Sequence, residues 1–228
     1  MAVNKEVYQQ IISELTPKKV TLVAVSKIRP VSEIMELYNL GQRDFGENYV
    51  QELVDKAAQL PKDINWHFIG HLQSNKVKYI APFVHLIHGV DSLNLLKEIN
   101  KQGAKNGRII DILLQVHIAE EETKFGLDET EVNVLISKLA DVQMPYVRVC
   151  GLMGMASFSE DMEKVRAEFK KLKGMFDSLQ RQTTKLPTGQ AGHKLQTLSM
   201  GMSADYKIAI EEGSTMVRIG SILFGMRN

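Results

Sequence analysis

The sequence predicts an α/β protein, a single (β/α)8 barrel (a TIM barrel) with an extra helix in front. Three observations predict it. Eight short apolar or β-branched runs alternate with amphipathic helical patterns along the chain. The 228 residues fit one large α/β domain, expected here as residues 1–228. The runner-up is an open doubly wound sheet, but no glycine-rich dinucleotide fingerprint follows the first strand.

Residues 4–15 read as a leading helix that ends before Pro17, and the first strand is 20–26. This run is continuously apolar, as in a parallel strand covered on both faces. Pro30 opens a helix with Val31, Ile34, Met35, Leu37 and Tyr38 on its apolar stripe, and Gly41 ends it. A short strand at 44–48 feeds a helix at 49–60, and a third strand covers 66–70. Ser74 is placed to cap a helix running to Ala81. The fourth strand is 84–90, with Asp91 or Ser92 capping a helix that ends near Gly103. The fifth is 109–118, and Asp128 with Glu131 forms a capping pair for a helix to Ala140. The sixth strand, 147–155, precedes a long charged helix at 161–182 and a loop from Thr183 to Gln196. Strand seven is 198–200, Ser203 is expected to cap a helix through Ile210, Gly213 ends it, and strand eight is 216–224.

Composition narrows the function classes. Lys and Arg total 28 against 27 Asp and Glu, so no global field favours nucleic acid or an anionic membrane. Cys150 is the one cysteine, which excludes an internal disulfide and suits a reducing compartment. No signal peptide or membrane-length apolar run is present, so a cytoplasmic location is expected.

The residue around which the chain is organised is Lys27, an amine delivered to the C-terminal end of the first strand. That end is where parallel α/β folds keep their chemistry. Lys27 reads either as a solvated strand-end charge or as a Schiff-base lysine. Gly201-Met202-Ser203 after strand seven and Gly220-Ser221 at strand eight lie where barrels often bind phosphate. A helix start at Ser203 would add free N–H groups and a favourable dipole; a tight turn with a capping serine is the plain alternative. Arg218 lies within an apolar strand and, pointing inward, needs an acceptor or an anion. Closure of the barrel puts strand eight beside strand one, which makes Lys27 and Arg218 neighbours and depresses the lysine pKa. Pyridoxal 5'-phosphate (PLP) satisfies all three features, with an aldehyde for Lys27, a phosphate for the glycine loops and a ring nitrogen for Arg218.

Several longer motifs carry a family resemblance. They are Ala24-Val25-Ser26-Lys27 with Pro30, residues 45–52 (Phe-Gly-Glu-Asn-Tyr-Val-Gln-Glu), Trp66-His67-Phe68-Ile69-Gly70 with residues 72–76, Gly151-Leu152-Met153, residues 198–203 with Asp205, and residues 213–220 with Phe224-Gly225. Over nearly the whole chain the sequence resembles the pyridoxal phosphate homeostasis proteins, the YggS/PROSC-type family. The resemblance implies a barrel similar to the N-terminal domain of alanine racemase. It implies PLP as cofactor, with Lys27 as the Schiff-base lysine and Ser203, Gly220, Ser221 and the backbone around Thr215 holding the phosphate. Arg218 would face the pyridine nitrogen, and Asn48, His67, Met153 and Ser199 would contact the cofactor. His71 and Ile28 fall at positions that vary in the family.

An arginine at the ring nitrogen leaves the ring a weak electron sink. Alanine racemase compensates with a tyrosine base from a partner subunit, beside an extra β domain that this chain, ending at Asn228, is expected to lack. The favoured function is therefore a protein that holds and passes on PLP in vitamin B6 and amino-acid homeostasis, without established turnover. It would act as a monomer or weak dimer, with apo PLP enzymes as recipients. A PLP-dependent amino-acid racemase, a cofactor-free Schiff-base aldolase or lyase, and an interaction module using Lys170, Lys171 and Lys173 on the long helix are the alternatives.

The weaker signals read as structural. His85 and His88 fall on opposite faces of a strand, His67 and His71 lack a metal-site pattern, and no metal is expected. Cys150 reads as a core residue, and Met153, Met155, Met200 and Met202 as packing near strand ends. Lys124 reads as a loop lysine or a secondary acceptor of the cofactor.

Overall fold

Parallel pairing closes the sheet on itself. In the computed structural model, which describes residues 3–119, 126–141, 144–183 and 195–225, eight parallel strands form a closed barrel in chain order. They are β1 (Thr21–Val25), β2 (Asp44–Glu47), β3 (Asn65–Phe68), β4 (Leu86–Val90), β5 (Ile110–Val116), β6 (Val147–Gly154), β7 (Thr197–Ser199) and β8 (Met216–Ile219). β1 pairs with β2 on one side and with β8 on the other, Val23 opposite Arg218.

Helices cover the outside: α1 (Lys5–Leu15), α2 (Val31–Asn39), α3 (Val50–Gln59), α4 (Val77–Ile80), α5 (Leu93–Asn106), α6 (Glu129–Asp141), α7 (Met162–Thr183), α8 (Tyr206–Glu211) and α9 (Ser221–Phe224). Local chemistry starts several of them, α5 and α6 as expected. Asn4 caps α1, and the Ser92 hydroxyl accepts from Leu95 N–H at the start of α5. Asp128 and Glu131 exchange side-chain to backbone bonds at 2.7 and 2.9 Å, a reciprocal cap on α6. None of the helices among the described residues is long and apolar enough to cross a membrane.

The period-2 alternation of the strands divides two cores. Outward residues such as Leu22, Ala24, Phe45 and Trp66 join the helices in the large apolar layer. Inward residues Val23, Leu86, Leu113, Met153 and Met216 form a small apolar cluster inside the barrel.

Four expectations need correction. Strand eight ends at Ile219, and the apolar residues 221–224 are the short helix α9, not strand. Ser74 caps nothing with its side chain: it opens a single 3-10 turn ahead of α4. Ser203 does not cap α8, which begins later at Tyr206; Asp205 precedes it and its carboxylate accepts from Met202 N–H at 2.5 Å. Thr215 lies just before β8, at the N-terminal end of the barrel. Its hydroxyl accepts from Leu198 N–H at 2.8 Å. The four residues of β8, five steps and roughly 16 Å of extended chain, separate it from Gly220, so it does not share a site with that loop.

Candidate functional site

Lys27 does not lie in the strand. β1 stops at Val25, and residues 26–29 form a turn closed by Arg29 N–H to Ser26 O at 3.0 Å, with Ile28 left-handed at φ +60°. A buried charge cluster beneath holds this turn. Glu47 Oε1 accepts from the Ser26 hydroxyl at 2.6 Å and from Lys56 Nζ at 2.8 Å. Lys56 also reaches Ser26 O at 2.7 Å and Glu52 at 2.7 Å, and Glu52 accepts Ile28 N–H at 2.5 Å. Burial pushes the Glu47 carboxyl up, against the pull of Lys56. On the other flank the Arg29 guanidinium donates to Gly225 O and sits 5.7 Å from the Phe224 ring centroid. The Lys27 turn is thus tied to β2, to α3 and to the segment after β8. Lys27 itself is half-buried.

The two glycine loops meet as expected. Gly220 N–H donates to the Ser203 hydroxyl at 3.3 Å, and Arg218 N–H donates to Gly201 O at 3.0 Å. Gly201 adopts φ +96°, where a side chain is strained, and a Cβ there would lie 2.6 Å from Ala209 Cβ. A Cβ on Gly220 would press on Val25 O at 3.1 Å, which lets this loop close over the end of β1. Ser221 is exposed beside it. Neighbouring this region, Asn48 follows β2, and Gly70 packs so closely that a Cβ would stand 2.3 Å from Asn48 O. The half-buried Asn48 side chain keeps an oxygen, Oδ1, with no hydrogen-bond partner among the described residues.

Arg218 lies below the glycine loops, opposite Val23 and therefore deeper than Lys27. It is 5% exposed and is satisfied largely by the protein itself. Its terminal nitrogens donate to Ser199 O at 2.9 Å, Ser199 Oγ at 2.7 Å and Gly154 O at 3.1 Å. Burial pushes its pKa down to about 10, with the Asp205 charge opposing the fall. Met153 is buried in the interior cluster.

His67 is fully buried, and both its ring nitrogens are engaged, one 3.0 Å from Asp44 Oδ1 and the other 2.9 Å from His88 Nε2. His88 in turn lies 3.2 Å from Ser199 Oγ. Burial holds the His88 imidazole well below its usual pKa, reinforced by His67 and Arg218. Burial raises the Asp44 carboxyl, but the hydrogen bonds from His67 and Asn65 outweigh this and hold it below its ordinary value. His85 is exposed and precedes β4, so strand alternation does not turn it away from His88 as the spacing predicts: its ring centroid lies 5.4 Å from that of His67, which is itself 5.2 Å from that of His88. It also brings a donor atom within 4.8 Å of Asp44 and His67. Cys150 is half-buried and pushed up to about 11 by burial, an inert thiol. Lys124 lies outside the described residues.

Sequence reasoning missed Asp44, His88 and the Glu47–Lys56 pair. One signal was available: a histidine at an inward position of an otherwise apolar strand needs polar partners.

Comparison with known proteins adds the lineage. The family model described as alanine racemase, N-terminal domain, matches residues 5–228. The pyridoxal phosphate homeostasis protein of Aquifex aeolicus is 44% identical over 207 residues, covering 90% of this chain and 86% of that protein. The Escherichia coli K12 protein of the same name is 38% identical, covering 93% and 88%. Among solved structures, PipY of Synechococcus elongatus with PLP bound has a TM-score of 0.85 at 36% identity, covering 96% of this chain and 99% of that one. Alanine racemase of Bartonella henselae shares the fold alone, with a TM-score of 0.69 at 17% identity, and this chain spans 57% of its length. By sequence, fold and coverage, the chain belongs to the pyridoxal phosphate homeostasis protein family, on a barrel of the alanine racemase N-terminal type.

Proposed function

We propose that this protein binds PLP at the C-terminal end of its barrel, with Lys27 as the Schiff-base lysine, and acts in intracellular PLP and amino-acid homeostasis without catalytic turnover. The observation that carries the reading is convergence. The anchored Lys27 turn, the paired glycine loops and the inward guanidinium of Arg218 stand on the adjacent strands β1, β7 and β8. A bound aldehyde, phosphate and ring nitrogen call for these three groups.

The residues fit the cofactor. Gly201 and Gly220 let their loops pack directly on Ala209 and Val25, where a Cβ would be crowded, and the orphaned Asn48 Oδ1 offers a polar contact at the same end. Ser203, Gly220 and Ser221 would hold the phosphate; Thr215, at the other end of β8, is too far away to join them. The cofactor, when bound, supplies an electrophilic aldehyde and a ring able to accept electron density. Arg218 offers only donors to that ring, which keeps its nitrogen unprotonated and the electron sink weak. This supports storage and delivery over racemisation, with apo PLP enzymes as recipients. The lone half-buried thiol supports a cytoplasmic setting.

The test is to add PLP to purified protein, follow the absorbance of the bound cofactor, reduce with borohydride and map the modified peptide. A label on Lys27, lost in Lys27→Ala, is expected; a label elsewhere or none overturns the site. Incubating the loaded protein with L-amino acids should yield neither D-enantiomer nor keto acid on chiral chromatography, and sustained turnover of either kind would refute the non-catalytic reading.

A further inference from the structure

Between the two ends of the barrel runs a chain of hydrogen bonds whose direction can be worked out. Asp44 Oδ1 lies 3.0 Å from His67 Nε2, and His67 Nδ1 lies 2.9 Å from His88 Nε2. His88 Nδ1 lies 3.2 Å from Ser199 Oγ, which Arg218 reaches at 2.7 Å. The two ends set the polarity. A guanidinium only donates and an ionised carboxylate only accepts. Ser199 Oγ takes an N–H from Arg218 and gives its own proton to His88 Nδ1. His88 then carries its proton on Nε2 and gives it to His67 Nδ1. His67 carries its proton on Nε2 and gives it to Asp44. Every link is satisfied with both imidazoles neutral. Reversing the links from Ser199 to His67 would turn a bare His67 nitrogen toward the Asp44 carboxylate, or would require a buried imidazolium.

We propose that Asp44, His67 and His88 are positioning residues for Arg218: a one-way chain across the barrel interior that acts through Ser199 to fix the guanidinium facing the cofactor ring. His67, His88 and Ser199 are fully buried and Arg218 nearly so, while Asp44 at the start of β2 is partly exposed. A change at the far end of the barrel thereby reaches the cofactor without touching it. The proposal rests on the PLP reading above, because that reading supplies the ring to be oriented.

Two measurements test it. In cofactor-free protein, long-range proton–nitrogen correlation spectra at neutral pH should show His67 and His88 both as neutral Nε2–H tautomers. An Nδ1–H form of either ring, or a doubly protonated ring, would overturn the chain. In PLP-loaded protein, Asp44→Ala should still label at Lys27 but bind PLP roughly three- to tenfold more weakly, about the worth of one hydrogen bond. The pH titration of its bound-cofactor absorbance should also be displaced. Asp44→Asn, whose amide oxygen still accepts from His67, should restore both. A folded Asp44→Ala protein (checked by circular dichroism) that matches wild type in affinity and titration refutes the relay. So does a stoichiometric divalent metal that co-purifies and is lost in His85→Ala, since Asp44 and His67 would then be ligands. Wild type that takes no label at Lys27 overturns the cofactor reading and the relay's role with it, while the tautomers still decide whether the chain exists.

Discussion

The outer and inner faces of the barrel wall are built from opposite materials. Outward residues meet the helices in a continuous apolar layer with Phe45, Ile34, Leu53 and Leu96 fully buried. Inward residues make an apolar patch of only five buried side chains, and much of the remaining interior is polar: Asp44, His67, His88, Ser199 and Arg218. The outer face draws stability from burial, which is non-directional and tolerant. The inner face depends on donors meeting acceptors at particular atoms, and a missing partner is costly. Stability and chemistry are thus carried on alternate residues of the same strands.

This contrast can be tested in order of effect. Phe45→Ala removes a fully buried ring on the outer face, 6.1 Å from the Trp66 ring. It should cost about 4 kcal/mol in urea unfolding, leaving Lys27 labelling intact in the folded fraction. A loss under 1 kcal/mol would mean that the outer layer is not the main source of stability.

Next, Lys56→Met leaves the buried Glu47 carboxylate without its cation, expected to cost about 3 kcal/mol and to slow labelling of Lys27 as the turn loosens. Adding Glu47→Gln should recover most of the stability. Were the double variant no better than the single one, the pair would be replaceable packing.

The third prediction concerns pH. His88 is held neutral in the fold, below its ordinary value of 6.5. Below that pH the unfolded chain takes up a proton that the folded protein refuses, so stability falls as pH drops through 6.5, by up to about 1.4 kcal/mol per pH unit. The depressed Asp44 carboxyl acts in the same direction but only as pH falls below 3.8. Thermal melts from pH 8 to 5 should show this slope, and His88→Gln should flatten it; an unchanged slope would assign the acid sensitivity elsewhere. The smallest effect is expected of the exposed Arg148–Asp111 pair, bonded at 2.7 Å with the Arg148 side chain 47% exposed. Arg148→Ala should cost less than about 1 kcal/mol, and less still in high salt.

Much of the barrel was legible because its signals are local. The apolar runs, the Ser92 cap, the Asp128–Glu131 exchange and Gly213 at φ +93° depend on residues a few positions apart. Strand eight was read too long because Ile222, Leu223 and Phe224 suit a strand as well as one turn of helix. Strand one was expected to run to Ser26 and to deliver Lys27 directly, because nothing nearby announces that the chain turns at Ser26 and that Ile28 is left-handed. The same problem affected Ser203, whose hydroxyl bonds across to Gly220 and not along its own chain.

By itself, then, the sequence determined the order of eight strands, the helix starts marked by local caps, the lysine after the first strand and the glycines of the last two loops. Only the tertiary structure decided that Thr215 lies at the wrong end to hold a phosphate, that Glu47 and Lys56 pin the Lys27 turn, and that Asp44 is linked through two histidines to Arg218. The physical reason is distance along the chain. Caps and periodicities are interactions over three or four residues, which a sequence displays. A hydrogen bond between residues 88 and 199 exists only once barrel closure has put β4 and β7 around the same interior.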